Sequence, residues 1–172
     1  MTPGRWRTLA LVLAVALGVA LVGWAEARSG DEGSSKADRA LALAAAEKGA
    51  TAAARKAAVN LTTYDFSSID ADFAWIDDSG TEKFKAEYAK VSAPIKKAVA
   101  ELKVHAEGSV DEAAATAKDA DHVTVLLFVD QTLLSGTSTE RQLATPRITM
   151  TMVREDGRWL VDDVAVRNLA GS

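Results

Sequence analysis

The first strong pattern along the chain is an uninterrupted apolar segment near its N-terminus. Thr8 to Ala25 carries no charged side chain, and as a helix rising about 1.5 Å per residue it spans about 27 Å. That length is close to the roughly 30 Å hydrocarbon core of a bilayer. Arg5 and Arg7 precede the segment and acidic residues follow it, so the positive-inside rule predicts a cytoplasmic N-terminus. We therefore predict a single-pass cell-membrane anchor within residues 1–28, with the rest of the chain extracytoplasmic.

A cleaved signal peptide is the alternative interpretation of this segment. Basic residues, an apolar run and the sequence Ala25-Glu26-Ala27 fit that template, although the run is longer than the usual core of roughly 7–15 residues. Both interpretations send the remainder of the chain across the membrane. Ala10, Ala14 and Gly18 share one ridge of the helix, where small residues allow close helix packing, but alanine is common throughout the chain.

A polar connector follows, and then the pattern becomes helical. Ser29 to Ser35 is rich in glycine and serine and predicts a flexible linker. Asp38 to Asn60 is rich in alanine, the strongest helix former. Because its apolar face consists mostly of alanine, this helix is expected to pack by close approach rather than through large side chains. Residues 29–60 are assigned to the linker and this helix.

The next segment concentrates aromatic side chains and then returns to a helical period. Leu61 to Asp78 contains the aromatic run, and Thr81 is a plausible N-cap for a helix from Glu82 to Leu102. Pro94 is expected to break or kink that helix. Apolar residues recur along it at spacings of three or four, namely Phe84, Tyr88, Val91, Ile95 and Val99.

The remaining residues change to the alternating period of β-strands. Strands are predicted at Val123–Leu134, Arg147–Arg154 and Trp159–Val166, with a weaker edge strand at Val104–Thr116. Asp156-Gly157 predicts a tight hairpin turn, and residues 135–146 are expected to form a loop. Helices followed by an antiparallel meander predict an α+β domain over residues 61–172.

Two of these strands are apolar on both faces. Ile148, Met150 and Met152 share one face of their strand, but Leu126 and Phe128 oppose an apolar row on the preceding strand. On the last strand, Trp159 and Val161 are expected to oppose Leu160, Val164 and Val166. Either the curved sheet is covered on parts of both sides, or its outer face is a partner surface. The residues predicted for that surface are Leu126, Phe128, Trp159 and Val161.

Composition and charge narrow the function classes. The formal net charge is −4, from 24 acidic and 20 basic side chains, and no stretch concentrates lysine and arginine together with aromatic residues. Nucleic-acid binding therefore has little support. The chain has no cysteine, which excludes disulfides, thiolate metal ligands and a cysteine nucleophile.

Ionisable residues give no compelling catalytic or metal motif. His105 and His122 border two predicted strands without metal-ligand spacing. Four carboxylates are candidates for a general base in a buried cavity, Asp65, Asp130, Asp162 and Asp163. Strand-end or turn roles, or ion pairs with Arg141, Arg147 or Arg158, are the preferred interpretation. We predict no catalytic residue, no cofactor and no metal.

An apolar ligand pocket is a further hypothesis. Six apolar residues are expected to form either core or pocket lining, namely Tyr64, Phe66, Phe73, Trp75, Met150 and Met152. Aromatic clusters of this kind more often form core than binding sites.

The order of three short motifs resembles a known family. The motifs are Thr63-Tyr64-Asp65-Phe66, Phe128-Val129-Asp130-Gln131 and residues 156–163, Asp-Gly-Arg-Trp-Leu-Val-Asp-Asp. With the apolar segment and the alanine-rich helix, they resemble the Mce-associated membrane proteins of actinobacteria over Leu11 to Val166.

That resemblance implies an NTF2-like cone, in which helices pack into a curved antiparallel sheet. It implies a non-enzymatic accessory protein that binds and stabilises Mce transporter components, in an importer of lipids or sterols. A lipid- or sterol-binding module that uses the cone cavity is one alternative, and an isomerase- or dehydratase-like enzyme is another.

Overall fold

The computed structural model describes residues 33, 35–136 and 140–167. Residues 35–62 are helical and form α1. The elements that follow are β1 (Tyr64–Asp65), α2 (Ile69–Asp72), α3 (Trp75–Ser79), α4 (Glu82–Glu101), β2 (Val104–Ala117), β3 (His122–Ser135), β4 (Arg141–Ala144), β5 (Arg147–Glu155) and β6 (Arg158–Arg167). The chain divides into two units, Met1–Ala42 and Leu43–Ser172, and these six strands all belong to the second. The predicted sequence of helices followed by antiparallel strands is confirmed.

The predicted membrane segment, Thr8 to Ala25, lies outside the described residues. Of the helices in the described part of the chain, none has the length and apolar character needed to cross a bilayer.

Helix α1 packs through alanine, as its sequence predicts. Its buried residues recur at spacings of three and four, and they are Ala46, Ala50, Ala54, Ala57 and Ala58. Gly49 lies beneath Trp159, and a Cβ atom added there would stand 2.6 Å from the indole Nε1. Only glycine permits this approach, so α1 packs on the core by the closeness of its backbone rather than by large side chains.

The sheet is antiparallel throughout, in the order β1-β2-β3-β5-β6, with β4 also paired to β3. Strand β4 falls within the segment predicted as a loop, so that prediction was wrong. β4 and β5 follow each other along the same side of β3, with Leu134 opposite Arg141 and Phe128 opposite Arg147. Pro146 separates them because it has no N–H to donate to a ladder, while its carbonyl accepts from the backbone N–H of Val129 at 3.1 Å.

One face of the sheet forms the core against the helices. The largest fully buried side chains are Leu127, Ile148, Met150, Met152, Val123, Val125 and Val161. The predicted alternation on β5 is therefore confirmed, as is the prediction that Val123, Val125 and Leu127 share one face of β3. We call this the inner face, and the opposite one the outer face.

Strand β6 departs from the predicted alternation. Met152 pairs with Val161 but Thr151 pairs with Asp163, so Asp162 is an extra residue in a β-bulge. The bulge returns Val164 and Val166 to the face that carries Val161. The prediction that these valines oppose Val161 was wrong, because an inserted residue reverses the alternation after it.

Helix α4 begins at its predicted cap and continues through Pro94. Phe84 N donates to Thr81 Oγ1 at 3.2 Å, which confirms the N-cap. The predicted break does not occur, since α4 is helical from Glu82 to Glu101. Pro94 is exposed, so the helix carbonyl left without a donor can be hydrated.

The predicted hairpin turn between β5 and β6 is also present. Asp156 and Gly157 both have positive φ and join the two strands as a hairpin.

The β2 edge is closed by side chains from α1. Strand β1 covers only His105 and Ala106 of β2. Beyond them, the Arg55 guanidinium donates to Val110 O at 3.2 Å, and Ala117 N donates to Glu47 Oε1 at 2.9 Å. These bonds satisfy backbone groups that a neighbouring strand would otherwise bind.

The β6 edge is closed only over its first half. Thr81 N donates to Val161 O at 2.9 Å, and Thr81 Oγ1 donates to Asp162 Oδ1 at 2.9 Å. From Asp163 to Arg167, no group in the described part of the chain other than β5 hydrogen bonds to the backbone.

Candidate functional site

An apolar cleft opens on the inner side of the sheet, beside α4. Its volume is about 260 Å³. Its walls come from the end of α1, from α4 and from the inner face of the sheet. The lining residues are Leu61, Thr62, Tyr64, Phe73, Tyr88, Ile95, Gln131, Pro146, Ile148 and Val166. None of these side chains is charged at neutral pH, so the cleft suits an apolar group.

A chain of aromatic contacts forms the floor of this cleft. The ring of Phe73 stacks on Tyr88 with centroids 5.8 Å apart and an interplanar angle of 8°. The ring centroid of Tyr64 lies 5.7 Å from that of Phe73, with an interplanar angle of 47°. Such contacts fix the rings relative to one another, so the floor is preformed.

Two buried polar atoms in this region have no hydrogen-bond partner among the described residues, Trp75 Nε1 and Tyr88 Oη. Burial raises the pKa of Tyr88 above its ordinary value, and the Asp70 charge raises it further. The phenol is therefore a neutral donor near pH 7. An unpaired buried hydroxyl is unfavourable, and Tyr88 is also one of the residues that line the cleft.

The predicted pocket residues separate into three groups. Tyr64 and Phe73 line the cleft. Trp75 is half-buried against Phe84, with ring centroids 6.5 Å apart, and Phe66 is 38% exposed. The methionines, Met150 and Met152, are fully buried core residues, so neither is open to a ligand.

The sequence pattern assigned Tyr88 and Ile95 only to a helix face and did not connect them with a pocket. Ile95 is 42% exposed and Val91 is 50% exposed, although both continue the apolar stripe of α4. A helical stripe that extends beyond the sheet it covers is the signal that could have identified the mouth of the cleft.

The candidate general bases lie away from the cleft. Asp162 accepts from Lys83 Nζ at 2.8 Å, and this bond, with that from Thr81, holds the pKa of Asp162 below its ordinary value. Its partner is therefore a lysine and not one of the predicted arginines. Hydrogen bonds from Ser67, and then from His105, lower the pKa of Asp65. Both carboxylates are ionised and already hydrogen-bonded at neutral pH.

Asp130 is exposed on the surface and Asp163 lies on the outer side of β6. No candidate carboxylate lines the cleft, so the isomerase or dehydratase alternative has no base at this position.

The two histidines each contact a nearby aspartate on the surface. His105 Nδ1 lies 3.0 Å from Asp65 Oδ2, and His122 Nδ1 lies 2.8 Å from Asp119 Oδ1. Across the described residues, no group of three or more His, Cys, Asp or Glu side chains is arranged to hold a metal ion.

The predicted partner surface is divided between the two faces of the sheet. Leu126 and Phe128 are half-buried on the outer face, where the Arg147 guanidinium lies 5.3 Å from the Phe128 ring centroid. Val161 is 1% exposed in the core, and Trp159 packs against that core. The prediction that Trp159 and Val161 belong to a partner surface was therefore wrong, because both lie on the inner face.

Two further depressions, of about 370 and 380 Å³, flank β4. The first is lined by Glu107, Asp130 and other polar residues, and the second includes Glu140 and Gln142. The polar lining of the first makes it less suited than the inner cleft to exclude water from an apolar group. The second also contains Leu102, Val104, Leu133 and Leu134, but Glu140 adds a charged group, which the lining of the inner cleft lacks.

Comparison with protein families gives one extensive match. A family model described as "Uncharacterized protein Rv1363c/MT1408-like" matches residues 7–166. Two similar proteins of Mycobacterium tuberculosis (strain ATCC 25618 / H37Rv) are the uncharacterized proteins Rv1363c and Rv1362c. Rv1363c is 25% identical over 113 residues, which cover 66% of this chain and 43% of that protein. Rv1362c is 29% identical over 117 residues, which cover 67% of this chain and 53% of that protein. The chain spans about half the length of these curated relatives.

Solved structures with a similar fold include components of type IV secretion systems. An IcmL-like type IV secretion system protein from Legionella pneumophila has a TM-score of 0.59 and 11% identity, covering 70% of this chain and 91% of that chain. The periplasmic domain of DotI has a TM-score of 0.56 and 15% identity, and the match covers 67% of this chain and 90% of that chain. CagV, a VirB8 homologue from Helicobacter pylori, has a TM-score of 0.55 and 12% identity, and the match covers 69% of this chain and 98% of that chain.

At these identities the similarity establishes the fold alone. The prediction of helices packed on a curved antiparallel sheet is confirmed, and the solved structures add that this fold is similar to VirB8-type domains.

Proposed function

The chain belongs to the Rv1363c/MT1408-like family, and from this membership we propose that it is a membrane-anchored accessory protein of a cell-envelope transport complex. It is non-enzymatic in this proposal, with its N-terminus in the cytoplasm and its sheet domain outside. The transport complex is an Mce-type importer of lipids or sterols, which follows from the resemblance of the three sequence motifs.

The observation that carries the proposal is the extent of the family match. The matched residues, 7–166, begin just before the apolar segment Thr8 to Ala25 and end within β6. The apolar segment and the sheet domain are therefore features of one family pattern. A domain that the family joins to such a segment is expected to work beside a membrane.

The fold is consistent with this location. One similar structure is described as a periplasmic domain, and others as proteins of type IV secretion systems. The analogy supports a domain that works by binding other proteins in the envelope, and it supports no particular partner.

The outer face of the sheet is the surface proposed to bind the transporter. Leu126 and Phe128 lie in the middle of β3, opposite the fully buried row of Val125 and Leu127. A neighbouring protein that covered them would remove their remaining apolar area from water.

The test is an affinity pull-down of the full-length tagged protein from native membranes. Mce transporter subunits should co-purify with the wild type and should be lost with Leu126→Asp combined with Phe128→Asp. Thr124→Asp, an exposed position on the same face of β3, is the matched control and should retain them. Absence of transporter subunits from the wild-type preparation would overturn the proposal. Retention by the double variant would place the interface elsewhere.

A second candidate function is binding of an apolar group in the inner cleft. The apolar lining and the unpaired Tyr88 hydroxyl favour it. The volume of about 260 Å³ is below the roughly 300–1,000 Å³ typical of ligand pockets. A short acyl segment fits this size better than a whole sterol.

Native mass spectrometry of the full-length protein, released from mild detergent, tests this second function. A retained hydrophobic ligand should be present in the wild type and reduced in Tyr88→Phe, which removes only the hydroxyl. Lys90→Met, on an exposed position of the same helix, is the control. Wild-type protein without any retained ligand would count against the binding function.

A further inference from the structure

The open half of β6 has a self-complementary sequence. It reads Asp163-Val164-Ala165-Val166-Arg167, with alanine at the centre, valine on each side and opposite charges at the ends. An antiparallel copy of this segment, centred on Ala165, places Asp163 opposite Arg167 and Val164 opposite Val166. A two-fold axis makes both halves of such a contact equivalent.

The backbone groups of this segment have the direction that this pairing needs. In an antiparallel ladder, successive residues turn their N–H and C=O groups to opposite neighbours. Glu155 and Arg158 flank the two-residue hairpin turn and form its first hydrogen-bonded pair, so odd-numbered residues of β5 face β6. Residues 163, 165 and 167 have odd-numbered partners on β5. Val164 and Val166 therefore direct their N–H and C=O groups to the free edge.

Among the described residues of one copy, the charges at the two ends of the segment have no direct salt-bridge partner, although Asp163 acts at longer range on Lys83. Asp163 and Arg167 form no ion pair with any residue of the described ranges 35–136 and 140–167. Arg167 lies opposite Arg147 on β5, and like charges facing each other across strands are unfavourable. An acidic side chain at the free edge would relieve this repulsion.

We infer that two copies of this protein associate by antiparallel pairing of Asp163–Arg167, which joins their sheets across the β6 edge. Val164 and Val166 exchange backbone hydrogen bonds with Val166 and Val164 of the second copy. Asp163 and Arg167 face each other in the closer, non-hydrogen-bonded pairs, on the outer face. The occupant of the edge is a second copy because the segment complements its own charge pattern.

The pairing also extends the inner cleft. Val166 is a lining residue and is 52% exposed. Val164 of the second copy would lie beside it on the same face and cover part of that area. The apolar wall of the cleft would then continue from one copy into the other.

The contact is short, so the association is expected to be weak in solution. A single pair of short strands covers less surface than the roughly 1,000 Å² expected of a stable interface. Confinement of both copies to one membrane would raise their effective concentration. The inference does not depend on which transporter the protein binds, and its test requires no other protein.

Disulfide cross-linking gives a direct test, because the chain has no cysteine. Ala165→Cys places a thiol on the two-fold axis, where paired Cα atoms are about 4.5 Å apart, within the roughly 4.4–6.8 Å range of disulfides. Ala114→Cys is the matched control, since Ala114 is an exposed alanine in the same row of the outer face. Both variants are made in full-length protein in membranes and oxidised mildly.

A covalent dimer from Ala165→Cys, with at least tenfold less from Ala114→Cys, is the expected result. Equal cross-linking of the two variants, or none of either, would overturn the inference.

Charge exchange tests the register on the Ala165→Cys background. Asp163→Arg alone brings like charges together at both ends and should reduce the dimer yield severalfold. Asp163→Arg combined with Arg167→Asp restores opposite charges with the order reversed, and the yield should recover. Loss in the single variant without recovery in the double variant would contradict this register.

Discussion

The two edges of the sheet are protected to different extents. Along β2, side chains of α1 and of Thr63 hydrogen bond to the strand backbone at intervals. Gly108 N donates to Thr63 Oγ1 at 3.1 Å. Further along the strand, Arg55 donates to Val110 O and Glu47 accepts from Ala117 N. Along β6, protection ends at Asp162. Unpaired strand edges readily pair with other chains. The β2 edge is therefore closed to such pairing, while the second half of β6 remains available.

This difference shows that an edge can be closed by a helix as effectively as by another strand. Helix α1 approaches β2 closely enough for its side chains to replace a strand's backbone groups, because its buried face is alanine. No such helix bonds to residues 163–167 among the described parts of the chain. Variants that move α1, that remove one of its edge contacts, or that weaken the Asp162 contact should test this comparison.

The largest effect is expected from Gly49→Leu. A side chain at Gly49 would collide with Trp159, whose indole Nε1 lies 2.6 Å from the position that a Cβ would occupy. Overpacking of this kind destabilises a protein by about 1–3 kcal/mol, and here it also moves α1 away from the β2 edge. The free energy of unfolding from urea denaturation checks the effect.

Ala45→Leu is the control for this variant, because Ala45 is exposed on the same helix. It should change the free energy of unfolding by less than about 0.5 kcal/mol. Equal stability of Gly49→Leu and wild type would show that α1 does not depend on this close approach.

A smaller and more local effect is expected from Glu47→Ala. The variant leaves Ala117 N without its acceptor at the end of β2, and a typical intramolecular hydrogen bond contributes about 0.5–1.5 kcal/mol to stability. The amide of Ala117 should exchange with solvent faster, while amides in the middle of β3 are unchanged. Lys56→Ala, at an exposed position of α1, should leave exchange at Ala117 unaltered. Unchanged exchange in Glu47→Ala would mean that this carboxylate does not protect the edge.

Features with a local period were predictable from the sequence. The two-residue spacing of Val123, Val125 and Leu127 placed them on one face of β3, and Thr81 was identified as the cap of α4. Asp156-Gly157 marked the hairpin because both residues adopt positive φ in a turn that favours such residues. Each of these depends on neighbours within a few residues.

Features that depend on distant contacts were not predictable. The bulge at Asp162 is one extra residue, and alternation alone does not show where it is inserted. Its position depends on Thr81 and Lys83, which lie 81 and 79 residues earlier and bind its carboxylate. The wrong placement of Val164 and Val166 relative to Val161 followed directly from this missed bulge.

The candidate cleft was predicted only in part, for the same reason. Tyr64 and Phe73 were identified because they lie in one aromatic run. Tyr88, Ile95 and Val166 join them only when α4 and β6 meet the sheet. No spacing along the sequence relates these three segments.

The smallest effect concerns the contact that ends the protected half of β6. The hydrogen bond from Lys83 lowers the pKa of Asp162. The contact therefore stabilises the fold fully at pH values above the ordinary aspartate pKa of about 3.9. That stabilisation is lost as the pH falls through the lower, folded-state pKa. Lys83→Met should raise the pKa of Asp162 toward the ordinary value, as measured by NMR titration of its carboxyl carbon. Because Lys83 is largely exposed, solvent screens the pair and the change in stability near neutral pH should be small.

Lys85→Met is the matched control for the Lys83 variant, because Lys85 pairs with Glu82, and it should leave the pKa of Asp162 unchanged. If that pKa moves equally in both lysine variants, its shift arises from the general positive field of α4 rather than from one bond. Asp162 would then be held specifically by Thr81 Oγ1 alone, and the open segment of the edge would still begin at Asp163.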